Sequence, residues 1–305
     1  MSLAFGSARV TLGSTELTNA SGVSYARNET VSTVGDDGNM HAATNLVLTA
    51  SPQIQFTCGD LGKLLGGNPV LLVDPLLKST NGIPYHSGNC SFVVPRSAAG
   101  APGFYAGSTH AKIAMATAVT LLSSLSWSRG SMATASLASF GLGGTGATDP
   151  AVASNVAAPA QLTAQPVWVM TSCSINGVTC PAVSVTITID HKQTNRDQRC
   201  FNDGLPFPVV CLGAGTLGLA EVSCAIETPD MTTRFANGDV VMVFANKAQN
   251  GIGLGIETLT VTLNGAMQSQ DDAWSIGAPS GRTINIRASY DGALPFTAVY
   301  DDGVL

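Results

Sequence analysis

The sequence predicts a mainly β protein, an antiparallel β-sandwich or half-barrel with one flanking α-helix. Three observations predict this class: apolar and polar residues alternate along much of the chain, β-branched residues fill these stretches, and Asn-Gly or Asp-Gly dipeptides separate them. Alternation with a period of two is the pattern of a strand with one buried face. Asn-Gly and Asp-Gly supply the positive φ angles that two-residue hairpins require.

The clearest predicted strand is Val183–Asp190, in which the alternation is unbroken. The other predicted strands follow in chain order: Ala8–Leu12, Glu16–Leu17, Leu46–Thr49, Gln53–Thr57, Val167–Cys173, Ala220–Glu227, Asp239–Ala245, Glu257–Leu263 and Thr283–Tyr290. Tight turns are expected at Leu12-Gly13-Ser14, Asn176-Gly177, Asp203-Gly204, Asn237-Gly238, Asn264-Gly265 and Asp291-Gly292.

The predicted flanking helix covers residues 110–127. Met115, Val119, Leu122 and Ser126 lie on one stripe at helical spacing, and Ser108 or Thr109 precedes the segment as a cap. Two shorter helices are expected, one over residues 60–65 and one near residues 75–78.

The composition divides the chain into three parts. A segment rich in Gly, Ala, Thr and Pro at 141–166 is interpreted as a linker or long surface loop between β domains at 1–140 and 167–305. The two β domains share an order of features: a strand and tight turn, then a second strand and a long polar loop. The shared order is consistent with an internal duplication, but the sequence does not decide whether the two domains are repeats.

The charge of the chain excludes two classes of function. Only 11% of the 305 residues are charged, and the formal net charge is −6. A nucleic-acid reader needs a basic stripe, and a polybasic membrane binder needs clustered Lys and Arg. So few charges favour a surface covered by other subunits, with a Gly/Ser/Thr-rich secreted β protein as the alternative. Residues 1–7 have no signal-peptide pattern, and the apolar run near 111–127 is too short to span a bilayer.

The motif search yields no catalytic, cofactor-binding or metal-ligating residue. A GxGxxG sequence at Gly213–Gly218 follows an apolar strand, as in dinucleotide-binding proteins, but period-two residues follow it instead of a helix. A second GxGxxG lies at Gly141–Gly146. The four histidines lack metal-ligand spacing and are expected at the surface or an interface. We therefore predict that the protein is not an enzyme.

The seven cysteines form no CxxC motif and are expected to behave mostly as small buried hydrophobic residues. Cys173 and Cys180 flank the turn at Asn176-Gly177. The two thiols would be close enough to pair across the turn in an oxidising medium.

Two polar loops are candidate contacts between subunits. The segment His191–Arg199 concentrates basic residues directly after the clearest strand, and the matching loop of the first half is acidic. Loops of opposite sign would dock one subunit on the next, whereas an ordinary solvated hairpin tip is the alternative. The candidate contact residues are Arg27, Glu29, Asp36, Asp37, His191, Lys192, Arg196, Asp197 and Arg199.

The order of these features resembles the tail tube proteins of tailed bacteriophages. The resemblance is carried over roughly 165–305 by the strand from Val183, the long polar loop, Pro206–Val210, Gly213-Ala214-Gly215 and the strands at Leu219–Glu227 and Asp239–Phe244. The closing segments Arg282–Tyr290 and Phe296–Tyr300 are also similar. The likeness is weaker over 1–140.

The resemblance implies a structural virion protein that assembles into stacked rings and forms the conduit through which DNA is ejected. Its partners would be further copies of itself, in rings of three or six chains, and other phage tail proteins. DNA would pass through the lumen without specific binding, no membrane would be entered, and assembly would take place in the bacterial cytoplasm. The alternatives are a baseplate, hub, capsid or decoration protein, or a ligand-binding or nucleotide-binding β protein.

Overall fold

The fold was analysed in a computed structural model of the chain. It describes residues 3–5, 9–17, 19–35, 42–66, 69–71, 85–94, 110–143, 147–157, 167–191, 199–201, 205–210, 220–247, 254–273, 281–288 and 294–303. The described part is built from antiparallel strands and one short helix, as the sequence predicts.

The elements fall into two groups along the chain. The first group is β1 (Leu3–Phe5), β2 (Arg9–Leu12), β3 (Thr15–Leu17), β4 (Ala20–Ala26), β5 (Thr30–Gly35), β6 (Ala42–Thr49), β7 (Gln53–Cys58), α1 (Leu61–Leu65), β8 (Tyr85–Val94), β9 (His110–Ser128), β10 (Thr134–Gly141) and β11 (Ala151–Val156). The second group is β12 (Trp168–Ile175), β13 (Val178–Thr179), β14 (Ser184–His191), β15 (Arg199–Phe201), β16 (Pro208–Val210), β17 (Ala220–Thr228), β18 (Val240–Lys247), β19 (Leu254–Leu263), β20 (Met267–Ala273), β21 (Gly281–Ala288) and β22 (Phe296–Asp301).

The strand pairings of the second group repeat those of the first. In the first group β2 pairs with β3 and β8, β4 with β7, β7 with β10, and β5 with β6. In the second group β12 pairs with β13 and β18, β14 with β17, β17 with β21, and β15 with β16. The remaining pairings match if the long strand β9 corresponds to β19 and β20 together. We call β2–β11 the first repeat and β12–β22 the second repeat.

Strand β9 corresponds to two strands of the second repeat because it belongs to both sheet layers of the first repeat. Its N-terminal half pairs with β8 and β11, as β19 pairs with β18 and β22. Its C-terminal half pairs with β10, as β20 pairs with β21. In the second repeat a turn at Asn264-Gly265 separates β19 from β20, and Gly265 has a φ of 60° there. The five-stranded sheet there is therefore separate from the main sheet.

The two repeats join edge to edge in one main sheet. The order of its strands is β1-β4-β7-β10-β9-β14-β17-β21-β20, and the joint between the repeats is the pairing of β14 with β9 over Ser124–Ser128. At the far end β20 pairs with β21 and, among the described residues, with no other strand. At the near end β1 occupies on β4 the position that β9 occupies on β14.

A continuous hydrophobic core contains residues from both repeats, and it lies between the two sheet layers of each. The strands of the main sheet bury one face, for example Val185, Ile187 and Ile189 of β14, against residues such as Met242 and Phe244 of β18. This burial of alternate residues is what the period-two pattern indicates, and it supplies most of the stabilisation of such a sandwich.

The prediction of a helix over residues 110–127 was wrong, because this segment is the strand β9. Bulges in its pairings with β8 and β10 shift the alternation of inward and outward residues along the strand. The buried positions Met115, Ala118, Leu122 and Leu125 consequently recur at intervals of three or four, which imitates a helical stripe. Pairing with neighbours on both edges overrides the helix propensity of its Ala, Met and Leu residues.

The predicted short helix at 60–65 is confirmed as α1, which the Asp60 carboxylate caps by accepting a hydrogen bond from the Lys63 backbone N–H at 3.2 Å. The second short helix, near 75–78, lies outside the described residues. Within the predicted linker at 141–166, Ala151–Val156 is strand β11, whose backbone groups pair with β9; for this part the interpretation as a linker or loop was wrong.

The hairpin between β12 and β13 turns at the predicted Asn176-Gly177. Both residues have positive φ angles, 47° and 75°, as a two-residue turn of the mirror-image type requires. The turns expected at Asp203-Gly204 and Asp291-Gly292 lie outside the described residues.

Candidate functional site

The most extensive polar feature of the described structure is the outward face of the main sheet. Because side chains alternate across a strand, every strand that buries one set of residues presents the other set on this face. We call it the hydroxyl face, since Ser and Thr dominate it. Its hydroxyl residues include Ser21, Ser24, Thr57, Ser124, Ser126, Ser128, Thr134, Ser136, Ser184, Thr186, Thr188, Ser223, Ser269 and Thr283.

Strand register aligns these residues in rows that cross both repeats. Thr188 lies opposite Ser124 on one side and Ser223 on the other, and Ser124 lies opposite Ser136. Ser136 in turn lies opposite Thr57, so the row continues to the far side of the first repeat. Between Thr57 and Ser223 this row consists of short hydroxyl side chains, and beyond Ser223 it continues to Arg287.

Hydrogen bonds between neighbouring hydroxyls reinforce this face. The Ser21 and Thr57 hydroxyl oxygens are 2.8 Å apart, and those of Ser126 and Thr134 are 3.1 Å apart. Such cross-strand hydroxyl pairs each contribute a few tenths of a kcal/mol to about 1 kcal/mol to sheet stability.

The hydroxyl face carries few charges, and most of them are negative. In the first repeat its described residues are uncharged. In the second repeat Arg287 is paired with Glu221 at 2.7 Å. The carboxylates of Asp190, Glu227 and Asp271 are not balanced by a second cation on the described part of the face. Hydrogen bonds from Ser184 to Glu227 and from Asn285 to Asp271 hold two of these carboxylates in place.

An open depression lies on this face where strands β4 and β9 bulge. It is lined by Gly22, Ser24, Gln55, Phe56, Thr57, Ser123, Ser136, Leu137 and Ala138. None of the residues that line it carries a charge, so the depression has no ionic contact for a charged ligand.

Two ribbons are inserted between strands of the main sheet, and they touch each other. The ribbon β5–β6 is inserted between β4 and β7, and the ribbon β15–β16 is inserted between β14 and β17. Pro206 and Phe207, in the segment that connects β15 to β16, contact the base of β5–β6: the Ala50 N–H donates to the Pro206 carbonyl at 2.7 Å, and the Arg27 guanidinium lies 5.9 Å from the centre of the Phe207 ring. The second ribbon therefore meets the first through its connecting segment and not through its base.

The ribbon β5–β6 exposes aliphatic side chains. Val31 and Val47 lie opposite one another and are about half exposed, as is Leu48. Exposed aliphatic residues clustered on a projecting ribbon are typical of a surface that a partner covers.

Among the candidate contact residues, Arg27 and Glu29 pair with each other at 2.7 Å, and Arg27 also pairs with Asp149 at 2.8 Å. Arg27 thus ties the end of β4 to the start of β11 within one chain. His191 ends β14 and Arg199 begins β15. The remaining candidates, Asp36, Asp37, Lys192, Arg196 and Asp197, lie outside the described residues.

The described part of the chain offers no metal centre, since no three of its His, Cys, Asp and Glu side chains are grouped to hold an ion. His110 is fully buried, so the expectation of a surface or interface position was wrong for this histidine. The Nδ1 atom of His86 lies 3.2 Å from the Val70 carbonyl oxygen. The GxGxxG sequence at Gly213–Gly218 is outside the described residues.

A cluster of three thiols lies in the core of the second repeat. Cys173 of β12, Cys180 after β13 and Cys224 of β17 are each almost fully buried and are not joined by disulfides. The Cys173 and Cys180 side chains are hydrogen-bonded; this bond and burial raise the pKa of Cys173. Hydrogen bonds from Cys173 and Thr228 lower the pKa of Cys180, whereas burial raises that of Cys224 to about 12.

Sequence reasoning missed most of the hydroxyl face. The alternation of Thr186 and Thr188 with buried residues was visible, and it gives one member of each of two rows. The positions of Ser124 and Ser126 on the same face were missed because their strand was interpreted as a helix.

No family model matches this chain, and no curated protein matches it. In the described residues no helix is long and apolar enough to cross a membrane.

Proposed function

We propose that this protein is a structural subunit that assembles with its own copies into rings, and that stacked rings form the tail tube of a tailed bacteriophage. The observation that carries the proposal is the edge-to-edge joint between the repeats. The β9–β14 pairing is a way for one repeat to bind the next through backbone hydrogen bonds, and it already exists within one chain.

The open edge of β20 supports continuation of this joint between chains. By the repeat correspondence, β20 of the second repeat is equivalent to the half of β9 that binds β14. The equivalent acceptor on the next chain is the edge of β4, which β1 covers in the single chain, so this contact requires β20 to displace β1. Unpaired strand edges bind other strands readily, and a head-to-tail contact of this kind closes into a ring if the rotation allows it. With two repeats per chain, three chains would give a ring of six repeats.

The character of the hydroxyl face supports its assignment to the lumen. Joining main sheets edge to edge would make this face continuous around the ring. DNA passing through must not adhere, and adhesion to phosphates requires Lys and Arg. A surface of short hydroxyls with a small excess of carboxylates would repel phosphate weakly, and the cation on its described part, Arg287, is paired with Glu221.

The paired ribbons support stacking. The exposed Val31, Val47 and Leu48 of β5–β6 suit an arm that reaches the neighbouring ring. Because the segment that connects β15 to β16 contacts the base of β5–β6, we propose that the two ribbons act as one contact unit, in place of two loops on opposite sides.

The assembly itself is tested by light scattering and negative-stain electron microscopy of the purified protein over a range of concentrations. Rings of three chains that stack into hollow tubes are the expected result. Rings that never stack would favour a hub or baseplate part. A monomer of about 31 kDa at every concentration, with the phage's other tail components added as initiators, would contradict the proposal.

The lumen assignment predicts a gain of DNA retention when lysines are placed on the hydroxyl face. In the variant Thr186→Lys/Thr188→Lys two exposed hydroxyls become cations at the centre of the main sheet. Assembled tubes of this variant should retain short duplex DNA that a nuclease cannot digest, and the retention should fall steeply with added salt because it depends on phosphate contacts. Wild-type tubes should retain none.

A control variant carries the same two charges elsewhere. In Val178→Lys/Thr179→Lys the lysines lie on exposed positions of β13, at the edge of the other sheet. DNA bound to this variant should remain open to the nuclease. Equal digestion of the DNA held by both variants would show that the hydroxyl face does not line a lumen.

A further inference from the structure

We propose that Cys173 and Cys180 are a redox pair that closes to an intramolecular disulfide when the protein leaves a reducing compartment. This inference goes beyond the proposed function and is tested on subunits without any assembly. Its basis is the hairpin of β12 and β13 and the chemistry around its two thiols.

Strand register brings the two cysteines opposite one another. The β12–β13 ladder pairs Ile175 with Val178 and Ser174 with Thr179, so the next pair along is Cys173 with Cys180. The Cys180 N–H donates to the Cys173 carbonyl at 2.8 Å, which continues the ladder to this pair. Residues opposite each other in such a hydrogen-bonded pair have Cα atoms about 5.5 Å apart, and disulfides span Cα separations of roughly 4.4–6.8 Å.

Both thiols also lie on the same side of the hairpin. Opposite residues of an antiparallel pair point to one face, and both side chains are directed into the core. The two thiols interact through a hydrogen bond. The Cβ atoms of such an opposite pair are about 4.5–5.5 Å apart and those of a disulfide about 3.5–4.5 Å, so bond formation draws the two strands together by roughly 1 Å.

The surroundings make Cys180 the attacking thiol. The hydrogen bond with Cys173 lowers the pKa of Cys180 and favours its thiolate, which is the reactive form. Cys224 approaches from the facing sheet, but burial keeps it protonated. Access comes from local opening of β13, a two-residue edge strand whose Val178 and Thr179 are exposed.

Oxidation requires a small disulfide such as oxidised glutathione. The Cys180 thiolate attacks one of its sulfurs, which forms a mixed disulfide and releases one glutathione thiol after proton uptake. The Cys173 thiol then loses its proton, and its sulfur attacks the Cys180 sulfur and releases the second glutathione. Two protein thiols have been oxidised and one small disulfide has been reduced to two thiols.

The test treats the reduced, full-length protein with oxidised glutathione, alkylates the remaining thiols and measures intact mass and peptide masses. We expect the loss of two alkylation sites, with one peptide that contains both Cys173 and Cys180 and lacks two hydrogens. Reduction should restore both sites. The oxidised protein should also unfold at a higher urea concentration, because the link restricts the unfolded hairpin.

Three single variants locate the pair. Cys173→Ser should accumulate a glutathione adduct on Cys180, Cys180→Ser should lose oxidation, and Cys224→Ser should form the link as the wild type does. Circular dichroism checks that each is folded. The proposal is overturned if the folded wild type keeps all its thiols, if Cys180 links to Cys224, or if Cys224→Ser abolishes the link.

Discussion

Replacement of Trp168 by Ala is expected to cost about 3–5 kcal/mol of the free energy of unfolding, as deletion of a fully buried indole does. Trp168 is inaccessible to solvent and lies where the two repeats meet. Its carbonyl accepts a hydrogen bond from Ala133 of the first repeat at 2.7 Å, and its ring centre lies 6.5 Å from that of Tyr300 in the second. Urea unfolding followed by tryptophan fluorescence or circular dichroism measures the loss.

A double-mutant cycle with Gly62 of α1 tests the packing directly. A Cβ atom at position 62 would lie 2.9 Å from Cζ2 of Trp168, too close for the buried ring to yield. Gly62→Ala should therefore destabilise the wild type, yet be neutral or stabilising in the Trp168→Ala background, where Ala is the better helix former. Strictly additive effects would contradict this account of the interface between the repeats.

Replacement of Arg282 by Met is expected to cost about 3 kcal/mol, because it leaves two backbone carbonyls without their donor. The Arg282 side chain is buried at the start of β21 and donates to the carbonyls of Met231 and Thr233 and to the Asp272 carboxylate. It thereby fixes the loop between β17 and β18, which takes the place that α1 has in the first repeat.

Arg287→Met is the matched control, since the two arginines lie on the same strand. Arg287 is about two-thirds exposed and pairs with Glu221 across the sheet surface. Exposed ion pairs contribute little, so its replacement should change the unfolding free energy by no more than about 1 kcal/mol. Equal losses in the two variants would mean that Arg282 does not organise the loop.

The Arg282→Met variant should also differ from the wild type in how its stability depends on pH. The Arg282 guanidinium, with help from Arg234, holds the pKa of the Asp272 carboxyl below its usual range. A carboxyl with a lowered folded-state pKa contributes stability above its unfolded pKa, and this contribution is lost as the pH falls through the folded value. The stability difference between wild type and Arg282→Met should therefore be smaller at about pH 3 than at about pH 7. A difference independent of pH would rule out this linkage.

The sequence by itself determined the class of the fold and the order of its parts. Alternation along Val183–Asp190 is a local property, because a half-buried strand must place apolar residues at every second position. The hairpin at Asn176-Gly177 was equally readable, since few other dipeptides accept two positive φ angles. The shared order of turn, strand and polar loop aligned β2–β4 with β12–β14. The strand pairings of the two repeats correspond in the same alignment.

Only the tertiary structure decided which edges and faces those strands present. Residues 110–127 have the composition of a helix, and they form β9 because β8, β10, β11 and β14 supply partners along both edges. The bulges that shift the inward and outward residues of this strand arise from its register with β8 and β10. The joint of β9 with β14, the open edge of β20 and the rows of the hydroxyl face depend on strand register as well. Residue spacing records the period of a strand but not its neighbours, so these features appear only when the sheet is assembled.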